Sequence, residues 1–393
     1  MKALTWHGKR DVRVEEVPDP QIKEPTDAIV KVTTTAICGS DLHLYELLGP
    51  FLGEGDILGH EAMGIVEEVG SDVGHIKPGD RVVVPFVISC GHCFMCQREL
   101  YTQCETTQVK EHGSGAALFG YTRLYGQVPG GQAEYVRVPQ AQFGPVPLPA
   151  EGPDERFVYL SDVLPTAWQA VQYADLPAEG GSVTVFGLGP IGQMSVRIAR
   201  HLGHRVIATD GVPERLALAR RYGAEVIDAR EGSVADRVRD LTGGRGTDSV
   251  IDAVGMEAHG SPVAKLGQAV TGLLPDALAA PLMRNAGVDR LAALMEAIEA
   301  VRRGGTISIV GVYAGMADPM PMLRLFDKGI TLRMGQAQVR RWIPALMPLV
   351  LEESDPLGVM DLATHRLPLS RAPEAYSMFQ RKQDGAIKVL LTP

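Results

Sequence analysis

A glycine-rich turn between two secondary-structure patterns constrains the fold of this 393-residue chain more than any other feature. The turn, Gly187-Leu188-Gly189-Pro190-Ile191-Gly192, follows an apolar strand-like run at 182–186 and opens a helical pattern. A second strand-like run at 205–209 is followed directly by Asp210. Further strand-like runs lie at 225–228, 249–254 and 306–312. Because strands that alternate with helices form βαβ units, we predict an α/β domain built on a parallel sheet.

The context of this turn is typical of a dinucleotide site. Its glycines allow a tight turn and a close approach of backbone N–H groups to a pyrophosphate, and the helix N-terminus adds its positive end. Asp210 would accept hydrogen bonds from the adenosine ribose and repel a 2′-phosphate, so we predict NAD rather than NADP. A glycine turn without a ligand is the alternative. The predicted cofactor-binding residues of this segment are Gly187, Gly189, Pro190, Ile191, Gly192, Asp210 and Arg215.

Four of the five cysteines form a second local pattern, Cys90-x2-Cys93-x2-Cys96-x7-Cys104. An odd number of cysteines disfavours a disulfide framework. A zinc ion accepts four thiolates tetrahedrally, whereas a redox pair would leave two sulfurs unexplained. An iron–sulfur cluster would also use four thiolates, but the bacterial ferredoxin pattern has a different final spacing. We predict a structural zinc site at these four residues; a cluster and a metal-free loop are the alternatives.

Charge and hydropathy exclude several classes of protein. The chain has 38 basic and 47 acidic residues and a formal charge of −9, which argues against a general binder of nucleic acid or anionic membranes. No stretch approaches the ~18 consecutive apolar residues that span a bilayer. The N-terminus lacks the apolar region of a signal peptide, so we expect a cytoplasmic protein.

The first ~150 residues differ in texture from the rest of the chain. Short β-branched runs at 28–32, 63–70 and 80–85 are separated by glycine and proline, which predicts a β-rich domain. Within it lie two fragments with metal-binding side chains, Cys38-Gly39-Ser40-Asp41-Leu42-His43 and Gly59-His60-Glu61.

These two fragments, the four-cysteine pattern and the glycine turn occur in an order that resembles the zinc-dependent medium-chain alcohol dehydrogenases, over essentially the whole chain. The resemblance implies a β-rich, GroES-like catalytic domain of residues 1–163 and 333–393. It also implies a Rossmann cofactor domain with a doubly wound parallel sheet, residues 164–332, and an active site in the cleft between the two domains. A homotetramer or homodimer is expected as well.

The resemblance further implies a second, catalytic zinc with Cys38 and His60 as ligands. Many family members use a cysteine before the glycine turn as third ligand, and this chain has none there. The segment 160–166 is similar to the glutathione-independent formaldehyde dehydrogenase branch, in which an aspartate takes that place, so the third predicted ligand is Asp162. Glu61 would lie behind the metal and adjust its field.

By the same resemblance, zinc lowers the pKa of a bound alcohol and hydride passes to NAD. The Ser40 hydroxyl, the cofactor ribose and His43 would relay the released proton. The other implied cofactor contacts are Thr166 and Ile191 at the nicotinamide ring, the backbone around Val310 and Val312 at the carboxamide, and Lys388 near the pyrophosphate. The substrate pocket is predicted to include Phe86, Trp168 and Leu47, with Leu48 and Phe51 nearby. Such apolar walls suit a small, uncharged alcohol or aldehyde. The resemblance to the formaldehyde dehydrogenase branch implies formaldehyde as the substrate.

Three features depart from the family pattern. Gly39 stands where several members carry a basic residue, and Trp168-Gln169 differs from the formaldehyde dehydrogenase branch. A long segment at 256–303, including Glu257-Ala258-His259-Gly260 and an apolar helical pattern at 273–283, is expected to cover the cofactor and slow its release; an oligomer contact is the alternative. A polyol or amino-alcohol dehydrogenase, a metal-free reductase of related fold and a non-catalytic zinc-ribbon protein are the alternative functions.

Overall fold

The computed structural model describes residues 1–255, 291–313 and 320–393 and divides the chain into two compact units. The first unit contains Met1–Pro165 and Ala337–Pro393, and the second contains Thr166–Gln336. The sequence analysis placed the corresponding boundaries after residues 163 and 332. None of the described helices is long and apolar enough to cross a bilayer.

In the described ranges the strands are β1 Lys2–Gly8, β2 Asp11–Glu16, β3 Ala28–Ile37, β4 Asp56–Ile57, β5 Glu61–Val69, β6 Arg81–Val84, β7 Tyr135–Val138, β8 Val146–Pro147, β9 Ser182–Phe186, β10 Arg205–Asp210, β11 Glu225–Asp228, β12 Thr247–Asp252, β13 Val301–Ile309, β14 Thr331–Met334, β15 His365–Pro368 and β16 Val389–Thr392. The α-helices are α1 Gly39–Glu46, α2 Asp154–Phe157, α3 Val163–Tyr173, α4 Pro190–His201, α5 Pro213–Arg221, α6 Val234–Leu241, α7 Ala292–Ala300, α8 Met322–Lys328, α9 Val339–Leu351 and α10 Ala372–Gln380.

The larger sheet of the first unit brings the ends of three strands together. Its strand order is β15-β16-β3-β5-β6-β8, with β7 also paired to β3. β3 runs antiparallel to β5 and to β16, so that Ala36 pairs with Glu61 and Ile37 pairs with Val389. β-Branched residues of β3, β5 and β6, among them Val30, Val66 and Val82, form the core under this sheet. The end of β3 and the beginnings of β5 and β16 therefore meet at one place.

The second unit is a parallel sheet of order β11-β10-β9-β12-β13-β14. From β9 the chain first moves outward to β10 and β11 and then crosses back to β12, so the order reverses beside β9. The core packs residues of the sheet, such as Ile207 and Val250, against Val238 of α6 and Ile298 of α7. This arrangement confirms the predicted α/β class, and the turn that follows β9 lies at the position where such sheets bind ligands.

The long segment at 256–303 is described only in part. The predicted features at Glu257–Gly260 and 273–283 lie outside the described residues. The described remainder contains α7 and the start of β13, which begins at Val301 and ends at Ile309, whereas the sequence predicted a strand at 306–312.

Candidate active site

Four side chains that could ligate a metal ion meet where β3 ends and β5 begins. Cys38, His60, Glu61 and Asp162 each offer one ligand atom, and these atoms all lie within 4.8 Å of one another. Cys38 directly follows β3, His60 directly precedes β5, and Asp162 ends the 3-10 turn Val158–Ser161. The structure thus brings together the three residues that the resemblance implied as zinc ligands, although 124 positions separate the first from the last.

The distances in this cluster fit a tetrahedral zinc ion. Sγ of Cys38 lies 3.5 Å from Oδ2 of Asp162, and Nε2 of His60 lies 3.4 Å from the same oxygen. Zinc bonds of ~2.3 Å to sulfur and ~2.0–2.1 Å to nitrogen and oxygen place tetrahedral ligand atoms about 3.3–3.5 Å apart. The three donors are also of the types that zinc prefers. They therefore fit the metal both in spacing and in chemistry.

Buried charges surround these donors. Burial raises the pKa of the Cys38 thiol, and the carboxylates of Asp162 and Glu61 raise it further. Burial acts to lower the pKa of His60, but Asp41 and Asp162 outweigh it and hold that pKa well above its usual range. Because the protein alone disfavours the thiolate and the neutral imidazole, a divalent cation bound here would have to displace their protons.

Asp41 is a functional candidate that the sequence analysis quoted but did not assign. It is completely buried, and its Oδ1 lies 3.1 Å from Nδ1 of His60. Its Oδ2 accepts a hydrogen bond from the backbone N–H of Cys38 at 2.9 Å. A carboxylate that faces Nδ1 favours the tautomer whose Nε2 is free for a metal. The signal was a carboxylate three residues after a cysteine at a helix start.

Glu61 is held by a lysine that the sequence analysis placed elsewhere. Nζ of Lys388 donates to Oε1 of Glu61 at 2.5 Å and to the carbonyl of Ile37 at 3.0 Å. Neither side chain of this pair has exposed surface. Lys388 directly precedes β16, and in this structure its amine lies in the interior against Glu61. The expected contact of Lys388 with a pyrophosphate stays a prediction. The Glu61 carboxylate raises the pKa of Lys388 against the effect of burial.

The two residues predicted to relay protons lie on α1. Oγ of Ser40 is 3.3 Å from Nε2 of His60, which places the hydroxyl next to the ligand cluster. His43 is half-buried one turn further along the helix, and its carbonyl accepts hydrogen bonds from the N–H groups of Leu47 and Leu48.

Aromatic rings enclose the imidazole of His60 on two sides. The ring centroid of Phe86 lies 6.2 Å away at 75°, and that of Tyr121 lies 6.4 Å away at 84°. Phe86 was predicted, whereas no motif marked Tyr121. Tyr121 reaches this position because the backbone of Gly120 packs directly against that of Gly59. A Cβ on Gly120 would lie 2.3 Å from the carbonyl oxygen of Gly59, so only glycine allows this contact.

The other predicted pocket residues are more scattered. Leu48 and Phe51 are buried after α1, and Leu47 is half-buried. Trp168 is buried on α3 and belongs to the second unit.

The four remaining cysteines form a separate cluster within one loop. Sγ of Cys90 lies 4.0 Å from that of Cys96, and Sγ of Cys93 lies 3.9 Å from that of Cys104. Four thiolates around one zinc ion at ~2.3 Å would be about 3.8 Å apart. Burial opposes ionisation of Cys93, but backbone N–H groups and the neighbouring thiols outweigh it and lower its pKa to about 6. His92 is exposed in this loop.

The glycine turn after β9 has the geometry of a phosphate cradle. Gly187 has φ +81°, and a Cβ on Gly192 would lie 1.8 Å from the carbonyl oxygen of Gly187. By contrast, the nearest atom to a Cβ on Gly189 would be Nη1 of Arg215, at 4.0 Å. The first and third glycines are therefore required by packing, whereas the middle one leaves open space. Pro190 begins α4 beside that space, followed by half-buried Ile191.

Asp210 ends β10 next to this turn. Its Oδ2 accepts the N–H of Leu188 at 2.7 Å, and its Oδ1 accepts the N–H of Val212 at 2.9 Å. Each oxygen keeps capacity for a further hydrogen bond. Nη1 of Arg215 lies 3.7 Å from Oδ2 of Asp210. Backbone N–H groups of the glycine turn and of the residues after β10 therefore fix the orientation of the Asp210 carboxylate.

The remaining predicted cofactor residues lie in the same unit. Val310 follows β13, and its N–H donates to the carbonyl of Asp252 at the end of β12. Val312 is exposed, and Thr166 is half-buried on α3.

Comparisons with known proteins place this geometry in a family. Residues 24–149 match the alcohol dehydrogenase GroES-like domain, and residues 190–268 match the zinc-binding dehydrogenase domain. The zinc-type alcohol dehydrogenase-like protein AdhB of Bacillus subtilis is 40% identical over 100% of both chains. The chain belongs to the zinc-dependent medium-chain alcohol dehydrogenases. It is therefore an oxidoreductase, which favours catalysis over the alternative of a non-catalytic zinc ribbon.

Two further relatives of this dehydrogenase cover nearly its whole length. Formaldehyde dismutase of Pseudomonas putida is 34% identical over 97% of this chain and 95% of that protein. Alcohol dehydrogenase TADH from Thermus sp. ATN1 is 35% identical, and its structure superposes with a TM-score of 0.82 over 100% of this chain and 99% of that one.

Proposed function

We propose that this dehydrogenase transfers hydride between a small primary alcohol or aldehyde, of about the size of formaldehyde, and NAD. The observation that carries the proposal is the buried cluster of Cys38, His60 and Asp162, in which the Asp162 oxygen lies from the thiol and from the imidazole at the distances expected of zinc ligands. Three protein ligands leave the fourth corner for substrate, which is the arrangement of catalytic rather than structural zinc sites.

The charges of the ligands suit this role. The Cys38 thiolate and the Asp162 carboxylate together neutralise a divalent cation. When bound, zinc supplies a Lewis acid for the substrate oxygen, and NAD supplies the hydride acceptor. Glu61 lies in the same cluster, but Lys388 holds it and balances its charge.

Two residues beside the cluster are assigned to the proton. The Ser40 hydroxyl, close to Nε2 of His60, is placed to take a proton from the substrate hydroxyl, and we assign His43 on the same helix to pass that proton outward. Phe86 and Tyr121 enclose His60, restrict the size of the substrate and exclude water. The similarity to formaldehyde dismutase supports a small substrate.

Asp210 supports NAD over NADP. Its carboxylate ends β10 beside the open space over Gly189, where a 2′-phosphate would meet a negative charge. We therefore assign Gly187, Gly189, Gly192 and Pro190 to the pyrophosphate and Ile191 with Thr166 to the nicotinamide ring. Arg215, Val310 and Val312 are assigned to the rest of the cofactor. The four-cysteine loop is proposed to hold a second, structural zinc ion.

The function is tested by measuring zinc content and activity together. Elemental analysis of the purified chain should find two zinc ions, and small primary alcohols should generate NADH absorbance at higher kcat/KM than polyols or amino alcohols. Preference for a polyol or an amino alcohol would overturn the substrate proposal. Activity in a chain without metal would overturn the catalytic zinc.

The cofactor is tested with Asp210→Ser. Loss of a charged hydrogen-bond partner costs ~1.5–3 kcal/mol, so the ratio of kcat/KM for NAD to that for NADP should fall roughly tenfold to a hundredfold. Asp228→Ser is the matched control, because Asp228 ends the neighbouring strand β11 and pairs with Arg230 on the surface. An unchanged ratio in Asp210→Ser would contradict the assignment.

We also propose that the chain forms a homo-oligomer in the cytoplasm. In the described part of the second unit, Met322, Leu323 and Phe326 of α8 are 66%, 74% and 84% exposed. Apolar side chains exposed together on one helix are typical of a contact surface. Light scattering after size exclusion should give a dimer or tetramer, and Phe326→Glu should shift the mass toward the monomer.

A further inference from the structure

We propose that Gln132 and Tyr376 are positioning residues that hold Asp41 against His60 and so set the zinc affinity of the catalytic site. The inference rests on the proposed function, because it concerns the same metal site. The hydroxyl of Tyr376 donates to Oε1 of Gln132 at 2.8 Å, and Nε2 of Gln132 donates to Oδ2 of Asp41 at 3.1 Å. Oδ1 of Asp41 then lies 3.1 Å from Nδ1 of His60. A continuous polar chain thus runs from α10 to a zinc ligand.

These hydrogen-bonded side chains are buried, so the loss of any one contact should destabilise the others. Tyr376, Gln132 and Asp41 have no exposed surface, and His60 is 7% exposed. A buried polar group that loses its partner keeps its full desolvation cost, since no water replaces the lost hydrogen bond. Tyr376, Gln132 and Asp41 therefore depend on one another for their hydrogen bonds, and Asp41 faces His60 across an ion-pair contact.

The hydrogen bonds around Gln132 fit only one orientation of its side-chain amide. The amide nitrogen of Gln132 also donates to the carbonyl of Ala36 at 3.1 Å, so both acceptors near this nitrogen require an N–H. A flipped amide would set its oxygen against a carboxylate and a carbonyl. Tyr376, as the donor to Oε1, favours the observed orientation. This orientation directs an N–H at Oδ2 of Asp41 and leaves Oδ1 for His60.

The backbone of Gln132 is fixed beside the zinc ligands. Its N–H donates to the carbonyl of Leu58 at 3.0 Å, and its carbonyl accepts from Leu4 at 2.8 Å. A Cβ on Gly59 would lie 2.3 Å from Cγ of Gln132, so the glycine before His60 is what admits this side chain. The position of Gln132 is thus specified from both neighbouring segments.

The consequence concerns the imidazole of His60. A carboxylate held at Nδ1 keeps the proton on that nitrogen and orients Nε2 toward Cys38 and Asp162. If Gln132 is removed, Asp41 keeps its bond from the Cys38 N–H but loses the donor that sets its rotation. If Tyr376 is removed, Gln132 still donates to Asp41 but loses the donor that fixes the orientation of its amide. The ring should then bind zinc less tightly and with altered geometry.

The test measures zinc affinity by competition with a chromophoric chelator, and the spectrum of the enzyme with Co²⁺ in place of catalytic zinc. Loss of the direct partner of a ligand typically weakens metal affinity ~10–100-fold. Gln132 acts on His60 through Asp41, so we expect the lower end, roughly tenfold, for Gln132→Leu and several-fold weakening for Tyr376→Phe. Both should change the Co²⁺ absorption bands. Tyr45→Phe is the matched control, because its ring lies 5.5 Å from that of Tyr376 and its hydroxyl is not in the chain.

The double variant separates a positioning role from a merely structural one. If Tyr376 acts through Gln132, then Gln132→Leu with Tyr376→Phe should weaken zinc binding no more than Gln132→Leu alone. If Gln132→Leu does not fold, Tyr376→Phe against Tyr45→Phe decides the question by the same two measurements. Zinc affinity and Co²⁺ spectra in Tyr376→Phe that equal those of Tyr45→Phe would overturn the inference. Failure of the unmodified enzyme to bind zinc at Cys38 would instead overturn the proposed function.

Discussion

The two cysteine-containing clusters of the first unit are built in opposite ways. The four-cysteine cluster lies within residues 90–104, and its sulfurs accept hydrogen bonds from N–H groups of the same loop, such as those of Cys93 and Glu105. The cluster at Cys38 instead collects donors from the ends of separate elements. Local chain geometry is enough to specify the first cluster, whereas the second exists only when the sheet is paired in the correct register.

The largest expected effect separates the clusters by stability. Cys96→Ser removes one sulfur from the loop that is proposed to hold the structural zinc ion, so it should lower the free energy of unfolding by about 5 kcal/mol or more. Zinc content should fall by one ion per chain. Cys38→Ser, the matched change in the other cluster, should abolish activity with a much smaller change in the urea midpoint. Equal destabilisation by both variants would contradict the distinction.

The next effect separates the clusters by catalysis. His60→Ala removes a ligand of the proposed Lewis acid, which contributes several kcal/mol to the transition state, so kcat/KM should fall by about a thousandfold. His92→Ala, in the exposed part of the four-cysteine loop, should leave kcat/KM unchanged. Steady-state kinetics on both variants checks this. A comparable loss in His92→Ala would show that the loop takes part in the reaction.

A third prediction concerns the ion pair that only the Cys38 cluster contains. Lys388→Met would leave the Glu61 carboxylate buried without its partner, and the free energy of unfolding should fall by about 3 kcal/mol. The double variant Glu61→Gln with Lys388→Met removes both charges and should recover most of that loss. Urea unfolding measures the difference. No recovery in the double variant would mean that the pair does not stabilise the site through charge.

The smallest expected effect concerns the walls of the catalytic cluster. Tyr121→Ala opens one side of His60, so the ratio of kcat/KM for a branched alcohol to that for a small one should rise about tenfold. Tyr101→Ala is the control at the four-cysteine loop, where this ring packs on Phe143 at 5.2 Å. A rise in both variants, or in neither, would exclude Tyr121 as a determinant of substrate size.

Much of the fold followed from local patterns. Alternating strands and helices predicted the parallel sheet, and the spacing of Asp210 from the glycine turn matched their contact in the structure, where Asp210 accepts the N–H of Leu188. Asp162 was found only through the family resemblance, since a lone aspartate carries no signal of its own. The contact of Lys388 with Glu61 carried no signal in the sequence, because 327 positions separate the two residues.

Sequence by itself determined the elements in which interacting residues are neighbours along the chain: the glycine turn, the four-cysteine loop and the succession of strands and helices. Only the tertiary structure decided which side chains surround the Cys38 cluster, among them Asp41 with Gln132 and Tyr376, Glu61 with Lys388, and Tyr121. The physical reason is register. A shift of one residue in a strand turns every side chain to the opposite face, so contacts between distant segments depend on how the strands pair in the folded sheet.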